Sequence, residues 1–209
     1  IQNGALDGQF AMGGDHDQSK SLGVTLSNTT WTADFDFKPL NSNSGSIEDL
    51  PVFCLTAGTG RPSATSTNQD GLFMFAACAD NAGTGRNVKA ASKDGSNAYA
   101  SSGSTDIDIV YNTQYYVRLQ RTTSTNLKLS VFSDSGRTTH ITNSPINFAI
   151  PSTVTGLTTI MHSSGDTSPG GSEMNADIDN TKIWDASTST VTYPTIIAGT
   201  IFEESDTGK

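Results

Sequence analysis

The sequence predicts an all-β protein built as two packed antiparallel sheets. Three observations predict it. Short runs of alternating apolar and polar residues recur along the chain, with Gly, Asn, Asp, Ser and Pro between them. Ser and Thr make up about a quarter of the chain and Gly is common at 20, a composition that suits strands joined by polar turns. No stretch holds a helical period for more than a turn or two. Roughly twelve to fourteen short strands can be counted, which fits a sandwich better than one small barrel. A chain of 209 residues is long enough to give such a domain a sizeable core.

"GQFAMGG", near 9–13, is a first candidate strand. "SLGVTL" places Leu22, Val24 and Leu26 on one face. In "WTADFDFKP", Trp31, Ala33, Phe35 and Phe37 point one way. Thr32, Asp34, Asp36 and Lys38 point the other, as a solvated face, and Pro39 closes the run. "LPVFCLTAG" and "GLFMFAACAD" are apolar on both faces, which predicts central strands covered on each side. As neighbours they bring Cys54 towards Cys78, either as a disulfide or as two buried thiols.

"NVKAAS", "NAYASS" and "TDIDIV" read as weaker strands. "QYYVRLQRT" turns Tyr115, Val117 and Leu119 inward, and "NLKLSVFSD" does the same with Leu127, Leu129 and Val131. "DSGR" at 134–137 is a turn. "HITNS", "INFAIP" and "GLTTIMHSS" follow as strands. In "ADIDNTKIWD", Ile178 and Ile183 both anchor in the core although they are out of phase. A bulge near Asn180 is therefore expected. Residues 1–195 form the predicted domain, and 196–209 a tail or the start of a following segment. Ile at position 1 predicts a processed or excised form.

The formal net charge of −9 speaks against nucleic acid as a partner, because an acidic surface repels phosphate backbones. The same charge can recruit cations such as calcium. No run approaches the eighteen or so apolar residues of a membrane span, so no membrane insertion is expected. No stretch reads as a signal peptide. Two cysteines exclude a disulfide-dense scaffold.

Three stretches carry a family likeness: "SLGVTLSNTTWTADFDFKP", "QYYVRLQRTTSTNLKLSVFSDSGRTT" and "ADIDNTKIWDAS". In their order the chain resembles the concanavalin A-like jelly rolls, in particular the laminin G-like (LamG) branch. The resemblance covers about 1–195 and implies two antiparallel sheets, one concave and one convex. Domains of this kind serve carbohydrate binding, adhesion and, in some branches, glycan cleavage. Fold alone does not choose among these.

The residues were weighed against that choice. The glucanase branch carries Glu-x-Asp-x-Glu on one strand. Here Glu48, Glu173, Glu203 and Glu204 never share one. Asp34 and Asp36 sit roughly 6–7 Å apart on a strand face, near the spacing of a retaining pair, but in a row with Thr32 and Lys38. The lyase branch's Arg-Glu-Arg and Gln-x-His strands are also missing. No Gly-x-Ser-x-Gly elbow is present, and His16, His140 and His162 lack zinc-ligand spacing. Calcium is a more natural cofactor, with Asp15, Asp17 and Asp179 as candidate ligands beside backbone carbonyls. Glycan binding needs an aromatic platform beside hydrogen-bonding groups. Tyr116, Arg118, Gln120, Tyr99 and Trp184 are the candidates. The expectation is a carbohydrate-binding or adhesion module of a larger cell-surface or virion-surface protein. Two alternatives stand beside it: a polysaccharide-degrading enzyme with a diverged site, and a structural assembly domain without ligand.

Overall fold

The computed structural model describes residues 17–42, 48–59, 69–78, 86–95, 100–102, 106–163 and 174–185. Among them are twelve strands and no helix. The strands are β1 (Asp17–Ser21), β2 (Trp31–Ser42), β3 (Glu48–Thr56), β4 (Gly71–Cys78), β5 (Asn87–Lys93) and β6 (Ala100–Ser101). They continue with β7 (Ile107–Asp108), β8 (Tyr115–Thr123), β9 (Asn126–Phe132), β10 (Ile146–Ala149), β11 (Thr159–Ser163) and β12 (Met174–Asp185). The candidate strand near 9–13 and the tail 196–209 lie outside the described residues.

The strands form an all-β, two-sheet jelly-roll sandwich. One sheet has seven strands in the order β1-β11-β3-β4-β5-β6, with β7 also paired to β5. The other has five, in the order β10-β9-β8-β2-β12. Every ladder is antiparallel.

Alternation explains the core. Trp31, Ala33, Phe35 and Phe37 of β2 are fully buried, as are Val117 and Leu119 of β8 and Leu127, Leu129 and Val131 of β9. They face Leu50, Phe53, Leu55, Leu72, Met74 and Ala90 of the larger sheet. Phe35 stacks on Phe53, ring centroids 4.1 Å apart, and this pair joins the two sheets. β3 and β4 are central and apolar on both faces, as their sequences predict. Their outward residues Cys54, Phe73 and Phe75 form a second buried cluster with Ala91 and Met161. The Phe73 ring lies over Gly71, where a Cβ would collide with it.

The last strand behaves as its phase requires. Ile178 and Ile183 are both buried, and the register shifts between Asp179 and Lys182. Asn180 takes a left-handed φ of 52° within that bulge.

Three expectations fail. Leu22, Val24 and Leu26 do not share a strand face. The chain leaves β1 at Ser21, Gly23 turns it with a φ of 72°, and Val24 is exposed while Leu22 and Leu26 are buried. "HITNS" makes a single bridge, His140 to Phe132, before Asn143 bends the backbone at φ 66°. Cys54 and Cys78 do not meet across β3 and β4. The register sets Cys54 opposite Phe73 and Cys78 opposite Glu48. Five residues of β4 separate the two positions, roughly 17 Å of strand and beyond disulfide reach. The Cys54 thiol donates to the Pro51 carbonyl instead.

Candidate functional site on the five-stranded sheet

The outward face of the five-stranded sheet is ordered in cross-strand rows. Register places Lys128, Gln120, Thr32 and Trp184 in one row. Ser130, Arg118, Asp34 and Lys182 form the next, and Phe132, Tyr116, Asp36 and Asp179 the third. Strand pairing therefore sets "DFD" of β2 directly beside "YVRLQ" of β8, although the two are far apart in sequence.

This face is not the solvated surface the alternation suggested. Thr32 is fully buried and Asp34 only 5% exposed. The cause is a cover of guanidinium groups. Arg118 grips Asp34 with two bonds, Nε to Oδ1 and Nη2 to Oδ2, each 2.7 Å. Arg137 reaches down from the loop after β9. Its Nε lies 3.4 Å from Asp34 Oδ2, and its Nη2 donates to Asp36 Oδ1 at 2.9 Å. Asn180 Nδ2, in the β12 bulge, donates to Asp36 Oδ2 at 2.9 Å. Each of the four carboxylate oxygens thus accepts from the protein.

The loop that delivers Arg137 is tightly built. Asp134 accepts from the Thr139 amide at 2.6 Å, and from the Thr138 amide and hydroxyl. The Thr139 amide bond is the chief reason its carboxyl is held below the usual carboxylate range. The Arg137 amide closes the predicted 134–137 turn on the Asp134 carbonyl at 3.0 Å. Arg137 itself sits at φ 54°, a left-handed conformation that costs an ordinary residue about 1–2 kcal/mol. Its guanidinium lies 5.7 Å from the Tyr116 ring centre.

Between these groups is an open cavity of ≈ 310 Å³. Asp34 and Asp36 form its floor, with Arg137 and Asn180. Tyr116, Ser135, Lys182 and Trp184 complete the lining. The indole N–H of Trp184 is buried without a hydrogen-bond partner.

Four of the five expected ligand residues fall on this face. Tyr116 and Trp184 line the cavity. Arg118 lies beside it and is committed to Asp34. Gln120 is buried and donates to Thr32 Oγ1 at 3.1 Å. Tyr99 lies outside the described residues. Sequence reasoning missed Ser135, Arg137, Asn180 and Lys182. The one usable signal for them was the unusual phase of "DIDNTKI", which marks a bulge at Asn180.

The expected metal ligands are only partly within the described residues. Asp15 lies outside the described residues. Asp17 belongs to β1 and Asp179 to β12, on different sheets. Asp179 Oδ1 accepts the Asn180 amide at 2.6 Å. Among the described residues, no three His, Cys, Asp or Glu side chains come together to hold a metal ion. Of the histidines, His162 is in the core beside Phe53. His140 stacks on Phe132, centroids 4.4 Å apart, and burial followed by the nearby Lys128 charge lowers its pKa.

Known structures share this architecture. The enzymatically active domain of tailspike protein 2 from bacteriophage CBA120 superposes with a TM-score of 0.50 and 14% identity, over 81% of this chain. The exoplasmic/lumenal domain of VIP36, in a Ca2+/Man-bound form, superposes with a TM-score of 0.54 and 13% identity. It covers 88% of this chain and 79% of its own. The likeness is one of fold. This chain spans only 24% of the tailspike structure. No protein-family model matches the sequence, and no curated protein matches it as a relative.

Proposed function

We propose that this chain is a non-catalytic glycan-binding module of a larger surface protein, extracellular or on a virion. The observation that carries this reading is the cavity flanked by Tyr116 and Trp184 over a floor of interlocked charges. Aromatic rings offer a sugar its apolar face, and the rim groups meet its hydroxyls. The fold shared with a Man-bound lumenal domain and with a phage tailspike domain supports a glycan partner and a surface setting. Among the described residues, no helix is long and apolar enough to cross a membrane. The three strand motifs, by their resemblance to the laminin G-like branch, support reading the domain as one of that kind. Single sites of this kind are weak and gain strength by repetition in an assembly.

Binding is favoured over cleavage because every described contact to Asp34 and Asp36 comes from a donor. A hydrolytic pair needs carboxyl groups that reach the scissile bond, and these two are engaged by Arg118, Arg137 and Asn180 instead. Calcium assistance belongs to this reading through Asp15, Asp17 or Asp179.

The test is a glycan-array screen of the wild type, Tyr116→Ala and Trp184→Ala, in calcium and in EDTA. The reading expects a hit in the wild type that both variants lose. A hit that EDTA abolishes would move the site to the aspartates. New reducing ends in a soluble polysaccharide would replace the reading with an enzyme. Silence on the array with a stable oligomer by light scattering would replace it with an assembly domain.

A further inference from the structure

The cavity has an unequal stock of hydrogen-bonding groups. Its acceptors are largely spent, since each oxygen of Asp34 and Asp36 already accepts from Arg118, Arg137 or Asn180. Its donors are not. Lys182 lines the cavity, is exposed, and makes no ion pair or side-chain hydrogen bond with the described residues. Trp184, also in the lining, has its indole N–H buried, so what it offers a ligand is its ring. The Lys182 ammonium donates only. Tyr116 and Ser135 add hydroxyls that can serve either way.

One cation is left uncommitted. Asp34 is held by Arg118 and Arg137, while Lys182, in the same cross-strand row as Arg118 and Asp34, pairs with neither carboxylate. Arg137 neutralises Asp36 in the next row. Asp179 lies opposite Asp36 across the β2–β12 ladder. A ligand that brings acceptors to Lys182 therefore gains most. A neutral sugar brings as many donors as acceptors. A carboxylate or sulfate brings acceptors alone.

We infer that the cavity takes an acidic sugar, one carrying a carboxylate or sulfate group, with that group at Lys182 and its ring beside Trp184. This rests on the glycan-binding reading above and names its ligand class. The chain's overall −9 charge opposes an anionic polymer at long range, but at physiological salt that repulsion is screened beyond about 8 Å. Recognition is then decided by the groups in contact.

The experiment is calorimetric titration of the intact chain, at about 0.15 M salt, with oligosaccharides of one length. The probes are a uronate oligomer, its carboxyl-reduced neutral counterpart and a sulfated oligomer. The wild type should bind an acidic oligomer about tenfold tighter than the neutral one, the scale of a charge-assisted hydrogen bond. Lys182→Ala should collapse that ratio towards one, and Lys182→Arg should restore it. Lys182 is exposed, so both variants should keep the wild-type melting temperature. The uronate and sulfate arms distinguish which anion is preferred, and a preference for either supports the inference. Equal or tighter binding of the neutral oligomer overturns it while leaving the glycan reading in place. An acidic preference that survives Lys182→Ala also overturns it. No binding of any oligomer, acidic or neutral, defeats the glycan reading itself.

Discussion

Arg118 and Asp34 face each other across β8 and β2 and share two parallel hydrogen bonds of 2.7 Å. Their side chains are 14% and 7% exposed, so the pair is largely out of water. Removing Asp34 leaves the Arg118 charge without this partner. Asp34→Ala should destabilise the fold by about 3 kcal/mol. The double variant Asp34→Leu with Arg118→Leu should cost clearly less, because neither charge is then stranded. Urea unfolding of the single and double variants measures both. A double variant as unstable as the sum of the singles would contradict this account.

Arg137 makes an unusual prediction because its backbone is left-handed. Both Arg137→Ala and Arg137→Gly lose the contact to Asp36 and free the 133–139 loop from the sheet. Glycine also releases the conformational cost of φ 54°. The glycine variant should therefore be more stable than the alanine variant, by about 1 kcal/mol. At a position with negative φ the order would reverse. Thermal melts of the two variants decide it, and faster amide exchange at Thr138 and Thr139 in both would show the loop loosened.

Much of the sandwich was legible because its signals are local. The alternation of Trp31 to Phe37, of Tyr115 to Leu119 and of Leu127 to Val131 sorts side chains to the core without knowledge of their partners. The two-faced apolar runs of β3 and β4 told of cover on both sides in the same way. The bulge at Asn180 was readable because Ile178 and Ile183 cannot both be inward in a regular strand. The site was only half legible. Tyr116, Arg118, Gln120 and Trp184 share a face because they alternate outward. But the burial of Asp34 depends on two arginines, one from a neighbouring strand and one from a loop that folds back over the sheet. Local spacing does not encode that neighbourhood. Val24 shows the same limit, since one glycine at position 23 undid an alternation that looked regular.

His162 makes stability depend on pH. It is fully enclosed beside Phe53, and its Nδ1 lies 3.2 Å from the Val52 carbonyl, to which it donates. Its Nε2 has no hydrogen-bond partner among the described residues. Burial lowers its pKa from 6.5 to about 4, partly countered by the bond to Val52. The unfolded chain therefore binds a proton between these values that the folded chain does not. Stability from this group is complete above pH 6.5 and is lost as pH falls towards 4. The total loss is about 3 kcal/mol. In His162→Leu that part of the profile should flatten. Denaturation midpoints from pH 7.5 to 4.5 test it, and an unchanged slope in the variant would assign the dependence to other groups.

Arg121 holds one end of the sandwich by another means. It is inward on β8, in phase with Val117 and Leu119, and fully buried. Its guanidinium donates to the carbonyls of Val154 at 2.7 Å, Ser124 at 2.8 Å and Thr123 at 3.3 Å. It thereby ties the β8–β9 turn to the segment before β11. Burial lowers its pKa and the charge of Asp70 opposes that shift. Asp70 in turn accepts the amides of Gly95 and Thr155, tying together the segments before β4, after β5 and before β11. A methionine fills similar volume but leaves three buried carbonyls without this donor. Arg121→Met should cost about 3 kcal/mol or more. Arg121→Lys should recover only part of this, because an ammonium cannot reproduce the planar fork that reaches three separate oxygens. Chemical denaturation of both variants checks the order, and a lysine variant as stable as the wild type would show that charge alone, without the fork, is what this end requires.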